Sequence, residues 1–185
     1  YTLSLHDALP IFTSLREAIV EKGIPVLATS STCTFTLRDE YPHLLDVDNT
    51  GLREHIELAT RFLWRKLDSG QTLPLGKLPL KVVYHTPCHM EKMGWSLYTL
   101  ELLRLIPGLE LTVLDSRCCG IAGTYGFKRE NYETSQAIGA PLFRQIEESG
   151  ADIVVTDCET CKWQIEMSTS KRCEHPITLL AKALG

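Results

Sequence analysis

Residues 152–161 read DIVVTDCETC, a short apolar run followed at once by a Cys-x-x-Cys pair. The run at 152–156 has the length and β-branched content of a buried strand, and a helix is predicted over 159–167. Strand-like runs at 81–85 and 110–114 also end just before cysteines. The three cysteine groups that follow strands are Cys88, Cys118-Cys119 and Cys158-x-x-Cys161.

Helical segments separate these strands, and this alternation predicts an α/β fold with a parallel sheet. The predicted helices span 95–106, 131–148 and 159–167, and a last one begins at Pro176. In such sheets the chemistry gathers at the carboxyl ends of the strands. We therefore expect an α/β parallel-sheet module of alternating strands and helices, with its cysteine-bearing loops at the carboxyl ends of the strands.

A shorter α/β unit is predicted before this region. Ser14 and Glu17 have the spacing of a capping box, Gly23 ends that helix, and 25–29 reads as a strand. A second helix is predicted from Asn49 or Thr50 to about 68–70. Its apolar face would consist of Leu52, Ile56, Ala59, Leu63 and Leu67.

Residues 14–33 and 142–161 share a faint repeat of helix, glycine, strand and a threonine–cysteine pair. In this alignment Ser30 stands where the second copy has Cys158. Residues 1–12 match neither copy and resemble translated sequencing-adapter sequence. The predicted organisation is a non-native leader at 1–12, the tail of a truncated first cysteine-rich module at 13–70, a linker at 71–79, and a complete second cysteine-rich module at 80–185.

Composition excludes several classes of protein. A net charge of −4 and the lack of a basic stripe with aromatics argue against nucleic-acid binding. No apolar run approaches the roughly 18 residues of a membrane span, and no secretory leader is evident. We therefore expect a cytoplasmic protein that reaches a membrane only through a partner.

The seven cysteines indicate metal or redox chemistry, because grouped thiols in a reducing compartment seldom serve as structural disulfides. Thiolates are the ligands of zinc and of iron–sulfur clusters. Neighbouring Cys118 and Cys119 cannot easily face one mononuclear ion, and five candidates exceed the four ligands of tetrahedral zinc. The pattern favours an iron–sulfur centre, while zinc and a metal-free redox dithiol remain alternatives.

Other residues near the cysteines have two interpretations each. His85 and His89 flank Cys88 and are candidates to ligate a metal or to hydrogen-bond its sulfur ligands, with simple packing as the alternative. Cys33 is either a vestigial ligand of the truncated module or a buried thiol. Cys173 is not expected to be a ligand.

The loops around the cysteines contain glycine, acidic and aromatic residues. Gly120 and Gly123 would let the backbone turn tightly against a bulky inorganic group. Asp115 and Asp157 are expected to cap the turns after their strands. Packing under the loops is expected for three aromatic residues, which are Trp95, Tyr125 and Trp163.

The ordered cysteine groups resemble the cysteine-rich (CCG) module found in the B-type subunit of heterodisulfide reductase, in glycolate oxidase iron–sulfur subunits and in lactate-utilisation proteins. Within that superfamily the chain is similar to the family of C-type subunits of anaerobic glycerol-3-phosphate dehydrogenases. Three segments carry this second likeness: HTPCHMEKMGW at 85–95, CCGIAGTYG at 118–126 and CETCKWQIE at 158–166.

The resemblance implies an iron–sulfur subunit, with a 4Fe–4S cluster as its cofactor and no catalytic residue of its own. The implied cluster ligands are Cys88, Cys118, Cys119, Cys158 and Cys161. Electrons would come from flavin-bearing catalytic subunits and pass toward menaquinone at the cytoplasmic face of the inner membrane, where this peripheral subunit would bind no glycerol 3-phosphate. The alternatives are a zinc-stabilised scaffold subunit without electron transfer, and a subunit of the heterodisulfide reductase, glycolate oxidase or lactate oxidase type.

Overall fold

The computed structural model describes residues 5–185, with side chains from residue 8 onward, so residues 1–4 of the predicted leader lie outside the described residues. The first helix, α1, spans Leu5–Arg16 and continues as a π-helical segment over Glu17–Glu21. The prediction that a capping box at Ser14 begins this helix is wrong. Ser14 lies inside α1, because Ala8 and Phe12 extend the apolar face of the helix and are buried in the core of the first half.

The first half continues with a small two-stranded parallel sheet and four helical segments. Strands β1 and β2 pair with Val26 opposite Ile56 and Ala28 opposite Leu58. The elements are β1 (Val26–Ala28), α2 (Ser31–Phe35), a π-helical segment (Thr36–Glu40), α3 (Tyr41–Leu45), a 3-10 turn (Arg53–His55), β2 (Ile56–Leu58) and α4 (Ala59–Asp68).

The long helix predicted from Asn49 or Thr50 is wrong in its first part, because Ile56–Leu58 is a strand. All three residues of β2 are buried, so pairing with β1 satisfies backbone groups that would otherwise lie unpaired. The buried Glu57 carboxylate lies 3.1 Å from an Arg61 guanidinium nitrogen and 3.0 Å from one of Arg65. The predicted end of the helix at 68–70 is confirmed.

The second half is a four-stranded parallel sheet with helices between its strands, which confirms the α/β prediction. The strand order is β4-β3-β5-β6, and every pairing is parallel. The elements are β3 (Lys81–Tyr84), α5 (Cys88–Met93), α6 (Ser96–Arg104), β4 (Glu110–Val113), 3-10 turns (Tyr125–Phe127 and Arg129–Asn131), α7 (Tyr132–Glu148), β5 (Ile153–Val155), α8 (Glu159–Ser168), β6 (Cys173–Glu174) and α9 (Pro176–Leu184).

The three strands that precede the cysteine groups end level with one another. Tyr84, the last residue of β3, is paired with Val113 of β4 and with Val155 of β5, which also end their strands. The loops after these strands therefore leave the sheet at one edge, as the sequence predicts.

The two halves pack on each other. Leu63, Trp64 and Leu67 of α4 lie against the core of the second half, which contains the fully buried Leu102 and Leu103 of α6. The connection at 71–79 forms no helix or strand, and Gly76 donates its amide to the Ala183 carbonyl at 2.6 Å. The boundaries predicted for the modules remain predictions.

Within residues 5–185 the structure contains no helix that is both long and apolar enough to span a membrane.

Candidate metal centre

The five predicted cysteine ligands line a single cleft at the carboxyl edge of the sheet. They come from the loops after β3, β4 and β5. The cleft is lined by Cys88, Cys118, Cys119, Cys158 and Cys161, together with Thr32, His85, Pro87, His89, Ile121, Ala122, Gly123 and Thr160.

The depth of the five thiols differs. Cys119, Cys158 and Cys161 are buried, whereas Cys88 and Cys118 are exposed. The sulfur atoms of Cys119 and Cys161 lie 3.3 Å apart in a sulfur–sulfur hydrogen bond. The cleft thus has a floor of three buried sulfurs and a rim of two exposed ones.

Helix starts set two of the cysteine positions. Cys88 is the first residue of α5, and Pro87 before it has the extended backbone expected just outside a helix. Cys158 is the N-cap of α8, which brings Cys161 onto the first turn of the same helix. Both residues of the Cys-x-x-Cys pair therefore face one point.

The loop of Cys118 and Cys119 is fixed by its close approach to α7. Gly120 has φ +89°, and a Cβ on it would lie 2.0 Å from the Ser135 carbonyl oxygen. The prediction that this glycine gives room to an inorganic group is wrong, because the room is taken by the α7 backbone. Gly123 has φ +65° and open space around it.

Hydrogen bonds between sulfurs and hydroxyls divide the thiols electrostatically. Hydrogen bonding from Cys161, opposed by burial and assisted by Thr160 and Thr32, lowers the pKa of Cys158 to about 5. Hydrogen bonds from Cys118 and Cys161 also hold the pKa of Cys119 well below its ordinary value. These two buried sulfurs are therefore anionic at neutral pH, as metal ligation requires.

The remaining three thiols keep their protons. Its hydrogen bond to Cys119 is the main cause that raises the pKa of Cys118, and the same partner is the main cause for Cys161. Burial raises the pKa of Cys88. Loading a metal would therefore release protons chiefly from these three residues.

His85 lies inside the cleft instead of merely beside it. Its side chain is 1% exposed, and Nε2 is buried without a hydrogen-bond partner among the described residues. The potential ligand atoms of His85, Cys119 and Cys161 all lie within 4.8 Å of one another. A buried nitrogen without a partner is costly unless something in the site satisfies it.

Asp157 does not cap a turn as predicted, but is fully buried beneath the cleft. Its carboxylate accepts hydrogen bonds from the Tyr84 hydroxyl at 2.6 Å and the Thr99 hydroxyl at 3.1 Å, and Thr60 of the first half lies at 3.4 Å. Burial raises the pKa of this carboxyl above its ordinary value. Asp115 is exposed and differs from Asp157 in this respect.

Thr32 is the residue of the cleft that the sequence did not single out. It belongs to α2 in the first half, yet its Oγ1 lies 3.5 Å from the Cys158 sulfur and 3.0 Å from Nδ1 of His89. The repeat was the available signal, because it aligns Ser30 with Cys158. In the structure Ser30 is the N-cap of α2, just as Cys158 is the N-cap of α8.

The other cysteines lie elsewhere. Cys33 is exposed, so the alternative of a buried thiol is wrong for it. Cys173 is fully buried in β6, where burial raises its pKa to about 12. Neither residue lines the cleft.

The three aromatic residues differ in their surroundings. Trp95 lies between two guanidinium groups, with Arg38 at 4.7 Å and Arg61 at 4.4 Å from its ring. Tyr125 and Trp163 are 41% and 52% exposed, so packing under the loops is wrong for these two.

The donor set fits a thiophilic metal centre. Five sulfurs, two of them already anionic, converge with one buried nitrogen that has no hydrogen-bond partner among the described residues. Soft thiolate donors select zinc or iron–sulfur clusters over hard cations such as magnesium and calcium.

Comparisons with known proteins agree with this chemistry. The family profile CCG, described as a cysteine-rich domain, matches residues 82–166. The chain is 86% identical over 179 residues to the C-type subunit of anaerobic glycerol-3-phosphate dehydrogenase from Escherichia coli (strain K12), which covers 97% of this chain and 45% of that protein. It is also 34% identical over 167 residues to lactate utilization protein A of Geobacillus thermodenitrificans, with 83% of this chain and 66% of that protein covered.

A more distant relative is an uncharacterized iron–sulfur protein of Methanocaldococcus jannaschii. It is 32% identical over 96 residues, which is 51% of this chain and 19% of that protein. The chain spans about half the length of the Escherichia coli proteins it matches.

Proposed function

Residues 82–166 belong to the CCG family of cysteine-rich domains, and on that premise we propose that the chain is part of an iron–sulfur electron-transfer subunit. The observation that carries the proposal is the convergence of five thiols from three strand-end loops on one cleft. The proposed cluster ligands are Cys88, Cys118, Cys119, Cys158 and Cys161.

The 86% identity to one subunit of a glycerol-3-phosphate dehydrogenase supports a more specific role. In this role the chain's subunit accepts electrons from a flavin-bearing glycerol-3-phosphate dehydrogenase and passes them toward menaquinone. It works peripherally at the cytoplasmic face of the inner membrane, and its partner subunits bind and oxidise glycerol 3-phosphate. The proposed cofactor is a 4Fe–4S cluster.

A bound iron–sulfur cluster supplies a centre that accepts and releases electrons at a potential set by its surroundings. The chain's own part is to hold and shield it. The anionic sulfurs of Cys119 and Cys158 favour binding, and the buried floor excludes water. Exposed Cys88 and Cys118 leave one side of the centre open, where an electron-transfer partner can approach.

A zinc-stabilised scaffold without electron transfer is the second candidate. It is favoured by one observation, the compact group of His85, Cys119 and Cys161, whose ligand atoms suit one mononuclear ion. In that case the chain would organise partner subunits and carry no electrons.

Metal analysis distinguishes the two functions. In protein prepared without oxygen we expect about four irons with matching acid-labile sulfide per chain, and little zinc. Cys119→Ser should lose most of the iron, because it removes an anionic ligand from the floor of the cleft. Iron and sulfide are measured colorimetrically, and zinc by elemental analysis.

Cys173→Ala is the matched control, because it removes a buried thiol outside the cleft. This variant should keep its iron. One zinc per chain without sulfide would contradict electron transfer and support the scaffold. Equal iron loss in both variants would mean that the five-cysteine cleft is not the binding site.

A further inference from the structure

We infer that Thr32 is a positioning residue that donates a hydrogen bond to the sulfur of Cys158 and thereby raises the reduction potential of the bound cluster. The inference rests on the proposed function. It gives the first half of the chain a direct part in tuning a centre whose proposed ligands all lie in the second half.

The direction of the hydrogen bond follows from the chemistry of the two neighbours of Thr32. Its hydroxyl lies 3.5 Å from the Cys158 sulfur and 3.0 Å from His89 Nδ1. A thiolate bound to metal is an acceptor only, so the single hydroxyl proton must point to the sulfur. The Thr32 oxygen then accepts from His89, which requires the tautomer of His89 with a proton on Nδ1.

Both neighbours of the hydroxyl are held in place. The His89 ring stacks on Phe35 of α2, with centroids 4.8 Å apart and planes at 9°. At the start of the same helix, the Ser31 amide donates to the Asp157 carbonyl at 2.8 Å. Helix α2 is thus fixed beside Cys158 at its start and beside His89 one turn later.

A hydrogen bond to a ligand sulfur affects the two oxidation states unequally. The reduced cluster carries one more negative charge, so a donated proton stabilises it more than the oxidised cluster. Hydrogen bonds to the sulfurs are among the factors that set iron–sulfur potentials. Thr160 also lies 3.2 Å from the Cys158 sulfur, but it belongs to α8 itself, whereas Thr32 reaches across from the other half.

The test compares Thr32→Val, which keeps the side-chain shape without the hydroxyl, with Thr32→Ser, which keeps the hydroxyl. Midpoint potentials are measured by anaerobic redox titration of the iron-loaded chain. We expect Thr32→Val to lower the ratio of reduced to oxidised cluster at a fixed potential about fivefold to tenfold, where tenfold corresponds to about 59 mV for one electron. Thr32→Ser should remain close to the parent chain.

Thr36→Val is the matched control, because Thr36 lies one helical turn later and its hydroxyl donates to Glu40 at 2.6 Å. Its potential should not change. An unchanged potential in an iron-loaded Thr32→Val chain would overturn the inference, as would an equal shift in the Thr36→Val chain.

A second readout does not depend on the cluster. The nitrogen chemical shifts of His89 should report a protonated Nδ1 in the parent and Thr32→Ser chains, and a tautomer mixture in Thr32→Val. If Thr32→Val loses its iron, unchanged His89 shifts would refute the hydrogen-bond chain. If the parent itself holds zinc and no iron, the proposed function fails, and the His89 shifts still test the contact.

Discussion

Asp157 shows how a single residue links the cleft to the rest of the molecule. Its backbone precedes Cys158, and its side chain gathers hydroxyls from both halves, from Thr60 as well as from Tyr84 and Thr99. A fully buried carboxylate is costly unless it is well hydrogen-bonded, so this network holds one definite arrangement of strand, helix and loop.

We predict that Asp157 makes the protein's stability depend on pH. Because its pKa is raised in the folded state, the folded protein binds this proton more tightly than the unfolded chain. The resulting stabilisation is complete below the ordinary value of 3.8 and is lost as pH rises through the raised pKa. The free energy of unfolding of the parent, minus that of Asp157→Asn, should therefore fall between about pH 4 and about pH 7.

Urea unfolding of the two metal-free proteins across this range measures the difference. Asp152→Asn provides the control, because Asp152 is an exposed acid at the start of β5 whose carboxylate accepts from the Lys81 amide at 2.8 Å. A difference between the parent and Asp157→Asn that stays constant with pH would contradict the prediction.

At this scale the sequence could identify the five cysteines but not their hydrogen-bond partners. Three groups at strand ends predict one shared edge, since parallel strands end together. Asp157 and Thr32 escape such reasoning. A buried acid and a capping acid look alike in one sequence, and the partner of Thr32 lies more than a hundred residues away.

Among the elements, α7 determines the shape of the loop that carries Cys118 and Cys119. The Ser135 hydroxyl donates to the Gly120 carbonyl at 2.9 Å and accepts from the Gln164 amide of α8, also at 2.9 Å. The loop, α7 and α8 therefore meet at one hydroxyl, directly behind the floor of the cleft.

We predict that Gly120→Ala destabilises the fold much more than Gly123→Ala. Both glycines have positive φ, so each substitution costs about 1–2 kcal/mol in backbone strain. At Gly120 the new methyl group would also collide with backbone atoms of α7, which raises the expected loss to about 4 kcal/mol or more. Denaturant unfolding of both variants measures the free energies, and equal losses would contradict the close approach seen here.

Element boundaries were predictable where periodicity and buried strands agree, as in residues 81–167. They were not predictable at 50–58. Leu52, Ile56 and Ala59 have helical spacing, yet Ile56 and Leu58 are a strand buried on both sides. A short strand of this kind cannot be distinguished from a helix by apolar spacing alone, because the decisive factor is pairing with distant β1.

On the scale of the whole molecule, the first half covers the second. Helix α4 packs Leu63, Trp64 and Leu67 on the core around α6, and α2 contributes Thr32 to the cleft. The sequence repeat indicated that the halves are related. It contained no information on how they pack, because that depends on side-chain shapes across an interface.

We predict that residues 71–185 alone are much less stable than the full chain. Removing α4 exposes apolar surface, at about 1.5–3 kcal/mol for each large side chain that was fully buried, and leaves the cleft without Thr32. The fragment should melt at a lower temperature and bind more of the dye ANS. Circular dichroism and dye fluorescence measure both effects.

A chain of residues 13–185 is the control for this truncation, because it lacks only the predicted leader and keeps α4. Its second half should keep its packing. A 71–185 fragment that melts at the temperature of the full chain would show that the first half contributes nothing to the core of the second.

The unequal depth of the cysteines also has a consequence in time. Whatever arrives from solvent, whether an iron donor or an oxidant, meets Cys88 and Cys118 before it can reach the three sulfurs beneath them. Loading and damage thus share one entrance and one sequence of events. The rim that receives the first iron is also the first part of the centre exposed to oxygen.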